Sequence, residues 1–456
     1  HRWVGSLSSL LGTASPPKMV SSIPPARPTS PLSPPDVPEV HEAFAGAGTV
    51  VRIPPVGDRW PYIIGAVARG NALILVPSLA QAHTLVGRLR QRGVASALAP
   101  RDWARGASGA TVVGGRAAAF APVADLAAIL VIDEHDEVYQ EERAPTWHAR
   151  EVAIERAHRA GVPCVLTSPM PTPEARRAFP LVTLPRRDER SGWPLVQVTD
   201  PRDDGSSRGT LWTTDVVRVL HRDGRVACVV NRKGRSRLLS CTNCDELAVC
   251  ETCGGAMRQD DIGELVCTNM GHRRPVVCAA CGGTAFKNLR IGVSRAREEL
   301  EALLREPVIE VTGETSDADL DGARVVVGTE AVLHRLSGLA AVVFADFDQE
   351  LVAPRYRAAE EALALIVRAG RLVGGRGSGS GVVLVQTRQP SHPVLRAALS
   401  ADVEQWASGE SARRELLGYP PFAAVAQLSG PGANEFVERL GQPLGIELRG
   451  PCLLYT

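Results

Sequence analysis

Two patterns of apolar residues alternate along most of this chain. Short apolar runs at 72–76, 110–113, 127–132 and 163–166 lack strict polar alternation, which predicts strands buried on both faces of a parallel sheet. Between them, 79–92 and 148–160 carry helical spacing. A folded region therefore begins near Thr49 and consists of repeated strand–helix units. A second series of strands is expected at 225–230, 308–311, 324–327, 340–344 and 382–386. The predicted fold class is α/β, with two parallel-sheet lobes in tandem. A long segment after the first strand of the second series is set into that lobe as an insertion.

Outside these units the pattern changes. From Pro16 to Pro38, nine of 23 residues are proline, interleaved with Ser and Thr, which predicts an extended linker rather than a core. Residues 374–381 read Gly-Gly-Arg-Gly-Ser-Gly-Ser-Gly, a flexible surface loop. The 456 residues allow two or three domains, and 44% hydrophobic with 22% charged residues is an ordinary globular balance. No apolar run approaches the ~18 residues of a membrane span. Net charge is +1, so a nucleic-acid-binding face would have to be local. The first residue is His1 rather than Met, and the expectation is a fragment of a longer chain, shortened at both ends.

The insertion carries the strongest chemical signal. Seven of the ten cysteines read Cys241-x2-Cys244-x5-Cys250-x2-Cys253-x13-Cys267-x10-Cys278-x2-Cys281. Each C-x-x-C turn aims two thiolates at one tetrahedral ion. Gly254 and Gly282 follow such turns, where a missing side chain lets amides approach the sulfurs. Disulfides or a redox dithiol are the competing uses. Nothing marks the chain as secreted, however, and one redox site would not need three pairs. Two zinc ions are expected.

Loop lengths divide the ligands between them. The x5 loop is too short to fold one turn back onto the next, whereas x13 fits a hairpin. Cys241, Cys244, Cys278 and Cys281 are therefore assigned to an outer ion, and Cys250, Cys253 and Cys267 to an inner one. The position completing a fourth C-x-x-C is Met270, a poor zinc ligand. His272 could supply an imidazole nitrogen; otherwise the inner site is empty, or weak and open to water.

Arg232, Lys233, Arg235 and Arg237 place four cations in six residues before the first cysteine, and Arg273 and Arg274 add two. Such clusters neutralise phosphates without sequence preference, although a solvated face reads the same way. Residues 231–297 hold 11 Lys/Arg against 6 Asp/Glu. Seven thiolates and two dications would remove about three charges of that surplus, so the field is modest.

An acidic box, Asp133-Glu134-His135-Asp136, follows the apolar run 129–132. At a strand's carboxyl end, such carboxylates orient Mg²⁺ and an attacking water; an exposed acidic turn would look similar. This box, Trp147-His148-Ala149-Arg150, and Val230-Asn231-Arg232-Lys233-Gly234 leading into the cysteines resemble the primosomal replication-restart helicase family. Gly328-Thr329-Glu330, Ala369-Gly370-Arg371 and Gly418-Tyr419-Pro420-Pro421-Phe422 follow in family order. The resemblance implies two RecA-like lobes at 45–186 and 187–400, with a zinc-binding insertion at 238–286. It further implies a partial C-terminal domain at 401–456 and an N-terminal remnant with linker at 1–44. Forked or junction DNA, other primosome proteins and a cytoplasmic location are implied as well, with no membrane.

Departures from the family pattern set the functional expectation. Where a phosphate loop should end in Gly-Lys-Ser/Thr, residues 53–61 read Ile-Pro-Pro-Val-Gly-Asp-Arg-Trp-Pro. Prolines remove amide donors, Asp58 repels phosphate, and both the Lys and the hydroxyl are missing. The family's Asp-Glu-Glu-His is shortened to Asp133-Glu134-His135, and its Ser-Ala-Thr motif is replaced by Thr167-Ser168-Pro169. The glycine–arginine box is altered at 368–376. The expectation is a helicase-deficient form like that of actinobacteria, with no catalytic residues and a DNA-binding, partner-recruiting role in replication restart. The competing reading is an active ATP-dependent 3′-to-5′ helicase with an unconventional nucleotide site.

Overall fold

The computed structural model describes residues 7–16, 18–27, 29, 32–143, 145–204, 211–230, 238–260, 263–268, 271–289, 293–312, 314–316, 319–320, 322–377, 379, 381–426, 428, 430, 432–441 and 444–447. Two units emerge, His1–Arg190 with Ala407–Ala424, and Ser191–Trp406 with Val425–Thr456.

The first unit is built on β1 (Gly48–Arg52), β2 (Asn71–Leu75), β3 (Ser96–Leu98), β4 (Thr111–Gly114) and β5 (Leu126–Val131). After a small antiparallel ladder of β6 (Gln140–Glu141) and β7 (Trp147–His148) come β8 (Cys164–Ser168) and β9 (Leu181–Thr183). Seven strands form a parallel sheet in the order β3-β4-β2-β5-β8-β1-β9. Both faces are covered, as the uninterrupted apolar runs require. On one face, Tyr62, Ile63, Ala66 and Val67 of helix Trp60–Val67 pack with Ala82, Leu85, Val86 and Leu89 of helix Leu79–Gln91. On the other, Ala149, Ala153 and Ala157 present one stripe of helix Ala149–Ala160. That helix ends at Gly161, whose φ of 66° is the left-handed C-cap that glycine adopts freely.

The Pro-rich stretch has no helix or strand among its described residues up to Val37. It is nevertheless laid against the first unit. Leu32 and Val37 pack on the core, and the Thr29 hydroxyl accepts from the Ala95 amide at 3.2 Å, next to edge strand β3.

The second unit contains β10 (Leu195–Thr199), β11 (Val226–Val229) and the insertion strands β12 (Leu238–Cys241), β13 (Met257–Gln259), β14 (Glu264–Cys267), β15 (Arg273–Pro275) and β16 (Phe286–Leu289). It continues with β17 (Val308–Val311), β18 (Val325–Gly328), β19 (Ala341–Phe344) and β20 (Val382–Gln386). Its parallel sheet runs β10-β20-β19-β11-β18-β17. The strand runs anticipated from hydrophobicity are all present, within a residue or two. Strand β1 was not anticipated beyond the expected start of the folded region near Thr49, although it lies buried between β8 and β9. Strands β3, β9 and β10 were missed as short or half-exposed edge strands. Among the described residues no helix is long and apolar enough to cross a membrane.

Candidate metal centres and the acidic box

Between β11 and β17 the chain leaves the sheet and builds one local turn four times. In each, the residue four places after a cysteine donates its amide to that cysteine's carbonyl. The pairs are Asp245 to Cys241 (3.0 Å), Gly254 to Cys250 (2.8 Å), Gly271 to Cys267 (3.1 Å) and Gly282 to Cys278 (3.0 Å). Each cysteine's own amide donates one residue further on, to the carbonyl of Glu246, Gly255, His272 or Gly283. The donor residue has positive φ in all four turns, from 56° at Asp245 to 74° at Gly282, which explains why three of the four are glycine. The turn at Cys267 has this backbone without a second cysteine. Position 270, where the others carry theirs, is Met270 and lies outside the described residues.

These turns bring together the sets that loop lengths had separated. Cys241, Cys244, Cys278 and Cys281 hold their Sγ atoms within 4.8 Å of one another. Cys241–Cys281 and Cys244–Cys278 are each 3.6 Å apart. Cys250, Cys253 and Cys267 join a ring nitrogen of His272 in a second group of the same size. Cys253 and Cys267 are 3.4 Å apart, and the Cys250 sulfur lies 3.3 Å from His272 Nδ1. A tetrahedral zinc with ~2.3 Å bonds spaces its sulfurs by about 3.8 Å. Both clusters therefore fit one ion each, the outer through four thiolates and the inner through three thiolates and an imidazole.

Other contacts favour ionisation of one thiol in each cluster, while neighbouring cysteines hold Cys244 in the outer cluster, and burial holds Cys253 in the inner one, up at about 12. The Asn243 side chain donates to Cys281 Sγ at 3.5 Å, and with the Gly283 amide it brings that thiol down to about 6. Burial opposes ionisation of Cys250, but hydrogen bonds from His272 and from the Cys253 and Thr252 amides bring it to about 6 as well. A Cβ on Gly283 would stand 3.2 Å from Cys241 Sγ and 3.4 Å from Cys281 Sγ, so glycine keeps the outer cluster clear. Leu239, Ala248, Met257 and Leu265 form a small core with Cys250 and Cys267. Arg202 ties the module to its sheet by pairing with Asp200 at 2.6 Å and with Glu246, and by donating to the Arg388 carbonyl at 2.8 Å.

The basic positions fare differently. Arg232, Lys233, Arg235 and Arg237 lie outside the described residues. Arg273 pairs with Asp260 and Glu264, both at 2.8 Å, while Arg274 bonds the Met257 sulfur and the Val277 carbonyl. These two cations are thus engaged within the module.

In the first unit, the acidic box sits where β5 ends, between the carboxyl ends of β2 and β8. The loop after β1 stands in the place of a phosphate loop, and its own atoms satisfy it. Arg59 donates to the Pro55 carbonyl at 3.0 Å and the Gly57 carbonyl at 2.5 Å, so these carbonyls are turned towards a guanidinium. The same guanidinium pairs with Asp133 at 3.3 Å. At the start of helix Trp60–Val67, the Asp58 carboxylate accepts from the Trp60 amide at 2.8 Å, a place a phosphate would otherwise take.

Glu134 is fully buried. It pairs with Arg150 at 2.7 Å and accepts from the Thr172 amide and hydroxyl, both at 2.9 Å. Burial raises its carboxyl above the ordinary range, while Arg150 and Thr172 pull it back. His135 Nδ1 lies 2.9 Å from the Ser168 hydroxyl. Trp147 is buried edge-on against Phe120, and His148 accepts the Arg150 amide at the helix entry. Sequence reasoning missed Arg59, Thr172 and Arg202 as organising residues. Only Thr172 had a local signal, the cap-then-proline-then-glutamate start of a helix.

Known proteins resemble this chain at length. The replication restart protein PriA of Bacillus subtilis is 27% identical over 401 residues, 79% of this chain and 50% of that protein. The probable replication restart protein PriA of Mycobacterium tuberculosis is 31% identical over 343 residues, 71% of the chain and 52% of the relative. PriA of Synechocystis is 28% identical over 455 residues, 87% and 53%. The chain thus spans about half the length of the curated relatives it matches. A solved structure of the helicase MrfA bound to DNA and AMPPNP aligns with 82% of this chain and 50% of its own, at TM-score 0.42 and 12% identity. A search against protein-family models found no match. With the box, the inserted cysteines and the later motifs in the same order as the replication-restart pattern, the chain belongs to the PriA family.

Proposed function

We propose that this chain is a DNA-binding component of replication restart that holds fork-like DNA and recruits partner proteins in the cytoplasm, without ATP-driven movement. The closed phosphate loop carries this reading. Arg59 occupies the loop carbonyls and Asp133, and Asp58 occupies the helix start, so phosphate and Mg²⁺ would have to displace internal partners. Zinc is the metal that suits both clusters, since four cysteines, or three with a histidine, are closed structural donor sets. Cys241, Cys244, Cys278 and Cys281 would hold one ion, and Cys250, Cys253, Cys267 and His272 the other. Zinc would supply folding free energy to the insertion, and the basic run Arg232–Arg237 would meet phosphates beside it.

ATPase turnover and fluorescence anisotropy on forked DNA test the proposal together. Binding without turnover is expected, with a log–log salt slope of about −3 to −5 for roughly three to five phosphate contacts. Neutralising Arg232, Lys233 and Arg235 should flatten the slope by up to about three. DNA-stimulated turnover that vanishes in Asp133→Ala would replace this reading with an active helicase.

A further inference from the structure

In the first unit a chain of buried contacts leads away from the acidic box. Glu134 holds both Arg150 and Thr172, and Arg150 in turn donates to the Thr172 hydroxyl at 2.9 Å. Thr172 caps helix Pro173–Ala178 by accepting from the Ala175 amide at 3.2 Å. The second residue of that helix is Glu174, buried, with Arg414 at 3.4 Å. Arg414 has a fully buried side chain and is held again by Glu410 at 2.8 Å, while Glu410 also takes Arg413 at 2.8 Å. One turn further, the Arg177 guanidinium lies over the Phe422 ring at 5.0 Å. Residues 407–424 belong to the first unit although more than 200 residues separate them from it in sequence.

A buried arginine without its carboxylates is strongly disfavoured, so Arg414 can be buried only where Glu174 and Glu410 are both presented. Glu174 is presented by a two-turn helix that cannot hold its own shape unaided. Its first turn is fixed by Thr172, and Thr172 by Glu134. We infer that Glu134, which stands at the catalytic position of an ATPase-like box, is here a positioning residue that holds helix Pro173–Ala178 in register to receive segment 407–424. That segment acts as a built-in ligand of the first unit. The inference rests on the reading that the nucleotide site is closed, since a carboxylate engaged by Arg150 and Thr172 is not available to a water.

Hydrogen exchange and thermal unfolding of Glu134→Gln in the full chain test this. Glutamine keeps the size and one acceptor but removes the buried counter-charge of Arg150. A catalytic glutamate replaced this way leaves fold and exchange unchanged. A positioning one lowers the Tm by about 5–15 °C and speeds exchange across 407–424 by about 10- to 100-fold, more than in strands β2 and β5. Thr172→Ala keeps the Glu134–Arg150 ion pair and the amide bond to Glu134 but removes the hydroxyl, and with it the cap and the bonds to Glu134 and Arg150. It therefore gives the same selective exchange more mildly should Glu134→Gln fail to fold. Unchanged protection of 407–424 in both variants would overturn the inference, as would a loss spread evenly over the unit. If the wild type hydrolyses ATP and Glu134→Gln still frees 407–424, the closed-site reading fails while the positioning role stands.

Discussion

The cysteine module and the acidic box solve opposite problems with polar groups. In the module, eight donors converge in two sets of four with paired sulfurs 3.4–3.6 Å apart, so that like charges would face one another once the thiols ionise. In the box, each carboxylate already has an internal cation or amide: Asp133 has Arg59, Glu134 has Arg150 and Thr172, and Asp136 has the Val138 amide. The first arrangement could be completed by an ion from outside. The second is complete without one. A converging set of like-charged donors is costly until a cation arrives, whereas a carboxylate already matched by arginine gains little from Mg²⁺. Which residues surround a motif, more than the motif itself, decides whether it is a site.

Removing the ion from the cysteine module should have the largest effect. Stripping metal with a strong chelator, or replacing Cys278 with Ser, should unfold the insertion while leaving the two parallel sheets intact. Structural zinc supplies roughly 10–16 kcal/mol to small Cys/His modules, far more than the core of Leu239, Ala248, Met257 and Leu265 can replace. Metal analysis with limited proteolysis reads the outcome. About two zinc ions per chain before treatment, and cuts confined to 238–289 after it, are expected; an uncut, metal-free module would contradict the assignment.

A smaller effect separates the two metal sites. His272→Ala should lower stoichiometry from about two ions to about one, because three thiolates leave the inner ion open to water. Adding Met270→Cys should restore it, since position 270 carries the second cysteine in the register of the other turns. If His272→Ala binds two ions as tightly as the wild type, His272 is not a ligand.

The smallest effect concerns a buried carboxylate in the second unit. Asp348 is raised to about 6, first by burial and then by Asp346, against the pull of Arg388 and the Thr387 hydroxyl. Because its folded value lies above the unfolded ~3.9, the native state retains a proton that the unfolded chain releases. The stability from protonated Asp348 is present below about pH 4 and is lost as pH rises through about 6. Asp348→Asn should flatten that part of the stability–pH profile, measured by urea unfolding at fixed ionic strength. An unaltered slope between about pH 4 and 6.5 would assign it to other groups.

The sheets were legible because buried parallel strands need continuous apolar runs, and 127–132 or 382–386 admit few other readings. The metal sets were legible because spacing alone restricts which turns can meet. His272 could only be left open beside water, because its role depends on a turn whose signature is a positive φ at Gly271 rather than a cysteine. The acidic box was visible in sequence as a run of residues after a strand, but its present partners were not. Arg59 reaches Asp133 across 74 positions and Arg414 reaches Glu174 across 240. No local pattern records pairings at that separation, and an arginine bound for the interior looks in sequence like one bound for solvent.

The return of residues 407–424 to the first unit makes the polypeptide discontinuous with respect to its own compact parts. The chain passes from one unit to the other after Arg190, after Trp406 and again after Ala424, so no single cut yields two self-sufficient halves. A piece ending at Arg190 would expose Glu174 and the seat of Phe422, and would behave as a sticky, incompletely folded protein. Supplying 407–424 as a separate peptide would then complement it in the manner of a split protein. The practical unit for expressing the first sheet is therefore two segments joined by a short linker.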